Sequence, residues 1–443
     1  MNSKKLNIFI FILVFLEVFY FKNYLFRSYD TPGQESLISY FAHQVAMSNW
    51  VRTDYNIFVT KILNCEGNLV YLNDISNWPN GFFYLFSIIL KFFGNYEIVG
   101  RIFALFLNLF GMFLFIKYIA KKKLNNYLYF SIPIIIASPI GLSSLNVVYP
   151  DSILILLISI LNIFNNYFVL YLLVLLLTPL FYHIILVYNF IHAVYLKVNQ
   201  LIDYKKFFLV CVTLTFSFFH LIYVLTVNEN GFEFNKLYEK FLVRSFIPNL
   251  TEFNSQQHEI GENVNFFHRT YLFYALIKDN LSIIAFPFLL IGLFNEMKKK
   301  TLLFFIFAST ILVNYLFLQY FIVHYYSNLL FVFLSTILMI LGLSNVLKNI
   351  NLNKYIPILL TFFLLFNINI LDKNLIYGTW KPVIEDSNKF KNFLSSKANI
   401  GVNGFEVKNY KSDDRICGFY LLPTIIKNYK LKKKTQNIDL NLY

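Results

Sequence analysis

A succession of unbroken apolar runs constrains this chain more than any other feature. Each is about 20 residues long and closes on lysines or on a turn. At a rise of about 1.5 Å per residue, such a run matches a hydrocarbon layer of about 30 Å. Lipid offers a bare backbone amide no partner, so a run of this kind must be a helix or a strand of a closed barrel. Barrel strands alternate apolar and polar residues; these runs are continuous, so helices are expected. Composition agrees. Of 443 residues 57% are hydrophobic and only 14% charged, against roughly 25% charged in a soluble domain.

The net charge of +14 raises the question of nucleic acid. The lysines are not gathered on one soluble face, however. They stand in short clusters between apolar runs, which is how membrane topology is written, so no nucleic-acid partner is expected. With Lys4 and Lys5 inside, passes are expected at 6–21, 98–119 (closing on Lys121, Lys122 and Lys123) and 127–145. A fourth runs from Asp151 to Asn165, a fifth out to about His183, a sixth in to Lys197 and a seventh over 207–227. Four more end at Lys298, at His324, near Lys348 and at 371. The expected fold is an all-α membrane bundle of about eleven transmembrane helices, with large outer loops at 22–95 and 228–279. Residues 1–371 form the transmembrane domain and 372–443 an outer tail or small domain.

Two further helices are expected on the outer membrane surface. Over 79–93, Phe82, Leu85, Phe86, Ile89, Leu90 and Phe93 fall on one helical face between Pro79 and Gly94. Over 32–47, Thr31-Pro32-Gly33-Gln34 reads as a capping box, and Leu37, Tyr40, Phe41 and Val45 share a face. Glu17 is the one acid inside the first run, expected as a neutral or paired carboxyl.

No nucleotide-binding loop, dinucleotide fingerprint or HExxH is present, and the inner loops are too short for a nucleotide domain. Any activated donor is therefore expected to be lipid-linked. Cys65, Cys211 and Cys417 form no pair at metal-binding spacing.

The order of motifs resembles the GT-C superfamily of membrane glycosyltransferases, in particular the protein O-mannosyltransferases and the lipid A aminoarabinose transferases. An acid, Asp30, follows the first run. Asn77-Trp78-Pro79-Asn80 opens the second surface helix and Phe93-Gly94 closes it, with Glu97 and Arg101 just beyond. Pro150-Asp151 begins the fourth pass, and His324-Tyr325-Tyr326 sits at the edge of a late one. Where the family often reads Asp-Glu, this chain reads Asp30-Thr31, the next acid being Glu35. The resemblance covers most of residues 1–345.

It implies a transferase moving a sugar from a polyprenyl-phosphate carrier to a glycan, lipid or protein acceptor on the extracytoplasmic face of a plasma or bacterial inner membrane. Asp30 would be the base, with Glu35 a second acid. Arg101 would hold the phosphate, since its planar fork suits that anion. Asp151, His183, His324, Tyr325 and Arg269 would line the donor site. No metal ligands are assigned, although some relatives of this kind use a divalent cation. Two other classes fit the same composition: an envelope polysaccharide polymerase or ligase, and a transporter of a lipid carrier.

Overall fold

The computed structural model describes residues 3–26, 34–50, 59–63, 69–71, 79–123, 125–228, 231–232, 266–316 and 328–377. The described chain is overwhelmingly helical. It opens with α1 (Ser3–Tyr20), a single turn α2 (Lys22–Leu25) and α3 (Gln34–Ser48). A short hairpin follows, β1 (Lys61–Leu63) against β2 (Leu69–Tyr71), then α4 (Gly81–Phe93) and α5 (Glu97–Lys123). A 3-10 turn at Asn126–Phe130 leads into α6 (Ser131–Ile136), α7 (Pro139–Ser144), α8 (Asp151–Phe164) and α9 (Phe168–Leu177). Beyond a second 3-10 turn, Thr178–Leu180, come α10 (Ile185–Val198) and α11 (Tyr204–Thr226). A two-residue β3 (Val227–Asn228) pairs with β4 (Gly231–Phe232). The remaining helices are α12 (Phe266–Leu281), α13 (Ala285–Lys298), α14 (Leu302–Leu316), α15 (Leu329–Asn349) and α16 (Ile356–Tyr377).

Three described helices are long and apolar enough to cross a membrane: α5, α11 and α15. A fourth crossing results if α12 and α13, bent by 118° at their junction, count as one broken span. The other helices on expected passes are shorter apolar pieces of 10–17 residues. The core is centred on α15, whose residues Leu329–Ser344 are all buried. A helix apolar all round belongs in the middle of a bundle; α15 is enclosed by α6, α12, α13, α14 and α16.

Several expectations need correction. The pass expected at 127–145 is broken between α6 and α7. Pro139 has no amide proton to continue the helix, and Ser138 starts a new one by accepting from Gly141 N at 3.1 Å. Helix α3 does not expose a polar face: Ser39 and residues 41–46 are buried, because α4 and the start of α5 pack over it. On α4 the buried face is Phe82, Phe83, Phe86, Ser87 and Leu90, while Phe93 is exposed. Part of the loop expected at 228–279 is helical from Phe266 onward, and α16 runs past 371 to Tyr377. Glu17 is buried, and neither carboxylate oxygen has a hydrogen-bond partner among the described residues.

Lysines gather at one end. Lys123 Nζ lies 2.7 Å from Glu296, which also accepts from Thr301 Oγ1 at 2.6 Å. Asn199 Nδ2 donates to Lys300 O at 3.2 Å, and Asn125 Nδ2 to Ser344 Oγ at 3.2 Å. The clusters 121–123, 197 and 298–300 therefore share one end of the bundle. Arg101 lies 22 residues up α5 from Lys123, about 33 Å along the axis.

Candidate functional site

The end opposite the lysines is built around a bend. Between α7 and α8 the helix is interrupted over residues 146–149, so carbonyls at the end of α7 and in the bend need partners from elsewhere. Helix α5 supplies them. Asn108 Nδ2 donates to Leu145 O at 3.0 Å, and Arg101 Nη1 to Asn146 O at 3.1 Å. These two side chains stand seven residues apart on one helical face. Farther down, Gly111 lets α8 approach: a Cβ there would meet Leu156 N at 2.6 Å. Asn165 Nδ2 donates to Tyr118 Oη at 3.4 Å, so α5 and α8 run parallel and begin at the same end.

Arg101 is wholly inside, with 0% of its surface exposed. It does not reach out to an interface. Its Nη1 also donates to Ser39 Oγ on α3 at 3.0 Å, and that oxygen accepts from Val148 N at 3.1 Å. Asn146 Nδ2 in turn donates to the carbonyls of Tyr24 and Leu25, at the end of α2. One guanidinium thus ties together α3, α5, the 145–148 bend and the exit from the first helix.

Beside this node α3, α4 and α5 lock together. His43 Nε2 is hydrogen-bonded to Asn95 Oδ1, and its ring meets Phe86 edge-on. Phe86 stacks on Phe103 with centroids 5.4 Å apart. The amides of Asn49 and Asn80 bond reciprocally at 3.2 and 2.9 Å, just where α4 begins. Trp50 Nε1 donates to Ser87 O at 3.1 Å. Gly81 seats the first turn of α4 against the next patch: a Cβ there would come within 2.5 Å of Leu180 O.

That patch holds two expected site residues. Asp151 opens α8, and Tyr182 Oη donates to its Oδ1 at 2.7 Å. The His183 ring meets Tyr182 edge-on at 5.3 Å. Asp151 follows Asn146 by five residues, so it lies within about 18 Å of the carbonyl that Arg101 holds. Arg101, Asp151 and His183 accordingly share one end. Sequence reading missed Ser39, Asn146 and Tyr182. The only signal for Tyr182 was its place beside His183 after the helix-breaking Pro179.

Asp30, His324 and Tyr325 lie outside the described residues. Glu35 falls in the first turn of α3 and Arg269 in the first turn of α12, with their side chains outside the described set. Among the described residues no three His, Cys, Asp or Glu side chains converge as metal ligands.

A phenol donating to a carboxylate contributes about 1.5–3 kcal/mol. Tyr182→Phe should therefore lower stability by about 1.5 kcal/mol while leaving the protein folded. Thermal unfolding in detergent reads this, and an unchanged midpoint would mean that the Tyr182–Asp151 bond contributes nothing.

No protein-family model, curated protein or solved structure matches this chain.

Proposed function

We propose that this chain is a multi-pass membrane glycosyltransferase. In this reading it transfers a sugar from a polyprenyl-phosphate carrier to an acceptor at the end of the bundle that carries Arg101. The lysine-bearing end faces the cytoplasm, as the charge rule requires. The shorter apolar helices complete about eleven passes, and α4 lies at the extracytoplasmic boundary with its exposed Tyr84, Ile88 and Phe92 toward lipid.

One observation carries the reading. The buried guanidinium of Arg101 is wired, through Asn146, to the carbonyl of Leu25. Asp30 follows Leu25 by five residues, a reach of at most about 18 Å. A base and a cation at the same end of the bundle are what the transfer needs. The Asp30 carboxylate takes the proton of the acceptor hydroxyl, and the freed oxygen attacks the anomeric carbon. The bond from that carbon to the phosphate oxygen breaks with inversion, and polyprenyl phosphate leaves with the electron pair. Negative charge grows on the departing oxygen, and a preorganised cation in a dry site stabilises it. Arg101 sits behind Ser39 with no exposure, so in this conformation it acts through its field and not by contact. Direct contact with phosphate requires α3 or the 145–148 bend to yield.

Transport of a lipid carrier is favoured by a different observation, the broken helices at Ser138-Pro139, Thr178-Pro179 and the α12–α13 bend. Transporters build their sites at such breaks. One experiment separates the two readings. Label transfer from a panel of polyprenyl-phosphate sugars is followed with the intact protein and with Asp30→Asn in sealed vesicles. The transferase reading expects a covalent product that falls at least about 100-fold in Asp30→Asn. Lipid movement with no covalent product supports the transporter instead, and a fully active Asp30→Asn removes Asp30 as the base.

A further inference from the structure

We propose that the α10–α11 turn and the α13–α14 turn together form a binding site for the headgroup of an anionic phospholipid. The two turns touch through the hydrogen bond from Asn199 Nδ2 to Lys300 O. Each is shaped by the same backbone device. After α10, Gln200 N bonds to Lys197 O at 3.0 Å and Leu201 N to Leu196 O at 2.8 Å. After α13, Lys300 N bonds to Met297 O at 3.0 Å and Thr301 N to Glu296 O at 3.1 Å. Gln200 and Lys300 take the left-handed conformation that this ending demands, with φ of 55° and 46°.

The joined turns carry Lys197, Lys205, Lys206, Lys298, Lys299 and Lys300. Two acids stand among them, and both are occupied: Glu296 by Lys123 and Thr301, and Asp203 by capping Lys206 N at 2.7 Å. With Glu296 balanced by Lys123, Asp203 alone offsets the six lysines, and a net charge of +5 remains.

Helix dipoles explain only part of this. Lys197 and Lys298–Lys300 follow or end helices, where a cation is favoured. Lys205 and Lys206 stand in the first turn of α11, where the dipole is positive and a cation is disfavoured. Asp203 caps this start through Lys206 N, and against its single charge the two lysines and the helix dipole leave the end positive. The neighbouring turn adds three more cations, and its acid, Glu296, is already paired with Lys123.

The surroundings specify a lipid anion. Leu201 (57% exposed) and Phe208 (67%) flank one turn, and Phe294 and Met297, also exposed, flank the other. Cations at the tip with exposed apolar side chains beside them, Phe294 lying under Lys298 Nζ at 4.4 Å, match a phosphate headgroup joined to acyl chains. The alternative is that these lysines serve only to set topology, which requires charge but no bound lipid.

Thermal unfolding of the purified full chain in a neutral detergent tests this. Dioleoyl-phosphatidylglycerol should raise the midpoint by about 5 °C, while dioleoyl-phosphatidylcholine and inorganic phosphate should not. The variant K205Q/K206Q/K299Q should lose most of that shift. K348Q/K354Q, altering a third turn of like charge, should keep it. If the triple variant does not fold, K205Q/K206Q is compared by native mass spectrometry for retained phosphatidylglycerol, which should fall. An equal shift in both sets of variants, no shift in the unaltered protein, or an equal effect of inorganic phosphate overturns the proposal.

Discussion

Replacing Arg101 by Gln should cost about 2–4 kcal/mol of stability and, if the chain is the transferase proposed above, lower sugar transfer at least about 100-fold. The stability loss follows from geometry. Asn146 O loses a charge-assisted donor, and Ser39 on α3 loses its bond to the guanidinium. A buried acceptor left without a donor costs about 1–3 kcal/mol. The catalytic loss needs a separate argument, because a clamp that merely held α3 in place would also lower activity when removed. Arg101→Lys separates the two. Lysine keeps the charge but not the planar fork, so it should destabilise nearly as much as Gln. If the charge itself stabilises the leaving phosphate, the Lys variant should retain a kcat well above that of the Gln variant at matched folded fraction, with KM changing in both. Equal kcat in the two variants would reduce Arg101 to a structural clamp and leave the transferase reading without its cation.

How much of this was open to sequence reading varies by element, for physical reasons. Helix α5 was legible because its apolar run has no proline and ends on three lysines; it was expected at 98–119 and spans Glu97–Lys123. Helix α4 was legible from Pro79 and Gly94, and Gly94 adopts the positive φ (93°) that its place at the helix end requires. The break at Ser138-Pro139 was in plain view, but run length outweighed it. Neighbouring helices satisfy what the break frees: Asn280 Oδ1 accepts from Ile140 N at 2.8 Å, and Asn367 Nδ2 donates to Asn280 O at 3.1 Å. Among the described residues four helices end on a left-handed residue other than glycine, at Gln200, Ser282, Lys300 and Asn351. Only Asn351 is of a type that favours this ending, so the other three carried no signal. The burial of α3 was illegible because it depends on α4, more than 30 residues away, folding over it. Arg101 was readable as a cation near one end of a long helix. Its inward direction was set by the Asn146 carbonyl and the Ser39 hydroxyl, which only the tertiary fold brings to it.

A single methyl group at Gly342 should destabilise the bundle by about 2–4 kcal/mol, and Gly342→Leu should prevent folding. Helices α13 and α15 touch backbone to backbone through two glycines. A Cβ on Gly342 would sit 1.8 Å from Phe288 O, and one on Gly292 would sit 2.0 Å from Leu338 O. No rotamer relieves that overlap, because the obstacle is main chain on both sides. The helices must separate, and α15 cannot move alone, since α6, α12, α14 and α16 all pack against it. The sign of the effect is diagnostic. In a helix interior Ala is favoured over Gly by about 1 kcal/mol, so propensity alone predicts that Gly342→Ala stabilises. Gly111 gives a graded comparison: its Cβ would stand 2.6 Å from Leu156 N, a milder overlap that should cost less. The pair Gly292→Ala and Gly342→Ala should be clearly less than additive, because helices parted by the first methyl have already made room for the second. Unfolding midpoints of the four proteins in one detergent decide it. A stabilised Gly342→Ala, or strict additivity, would mean that these two helices do not meet at their glycines.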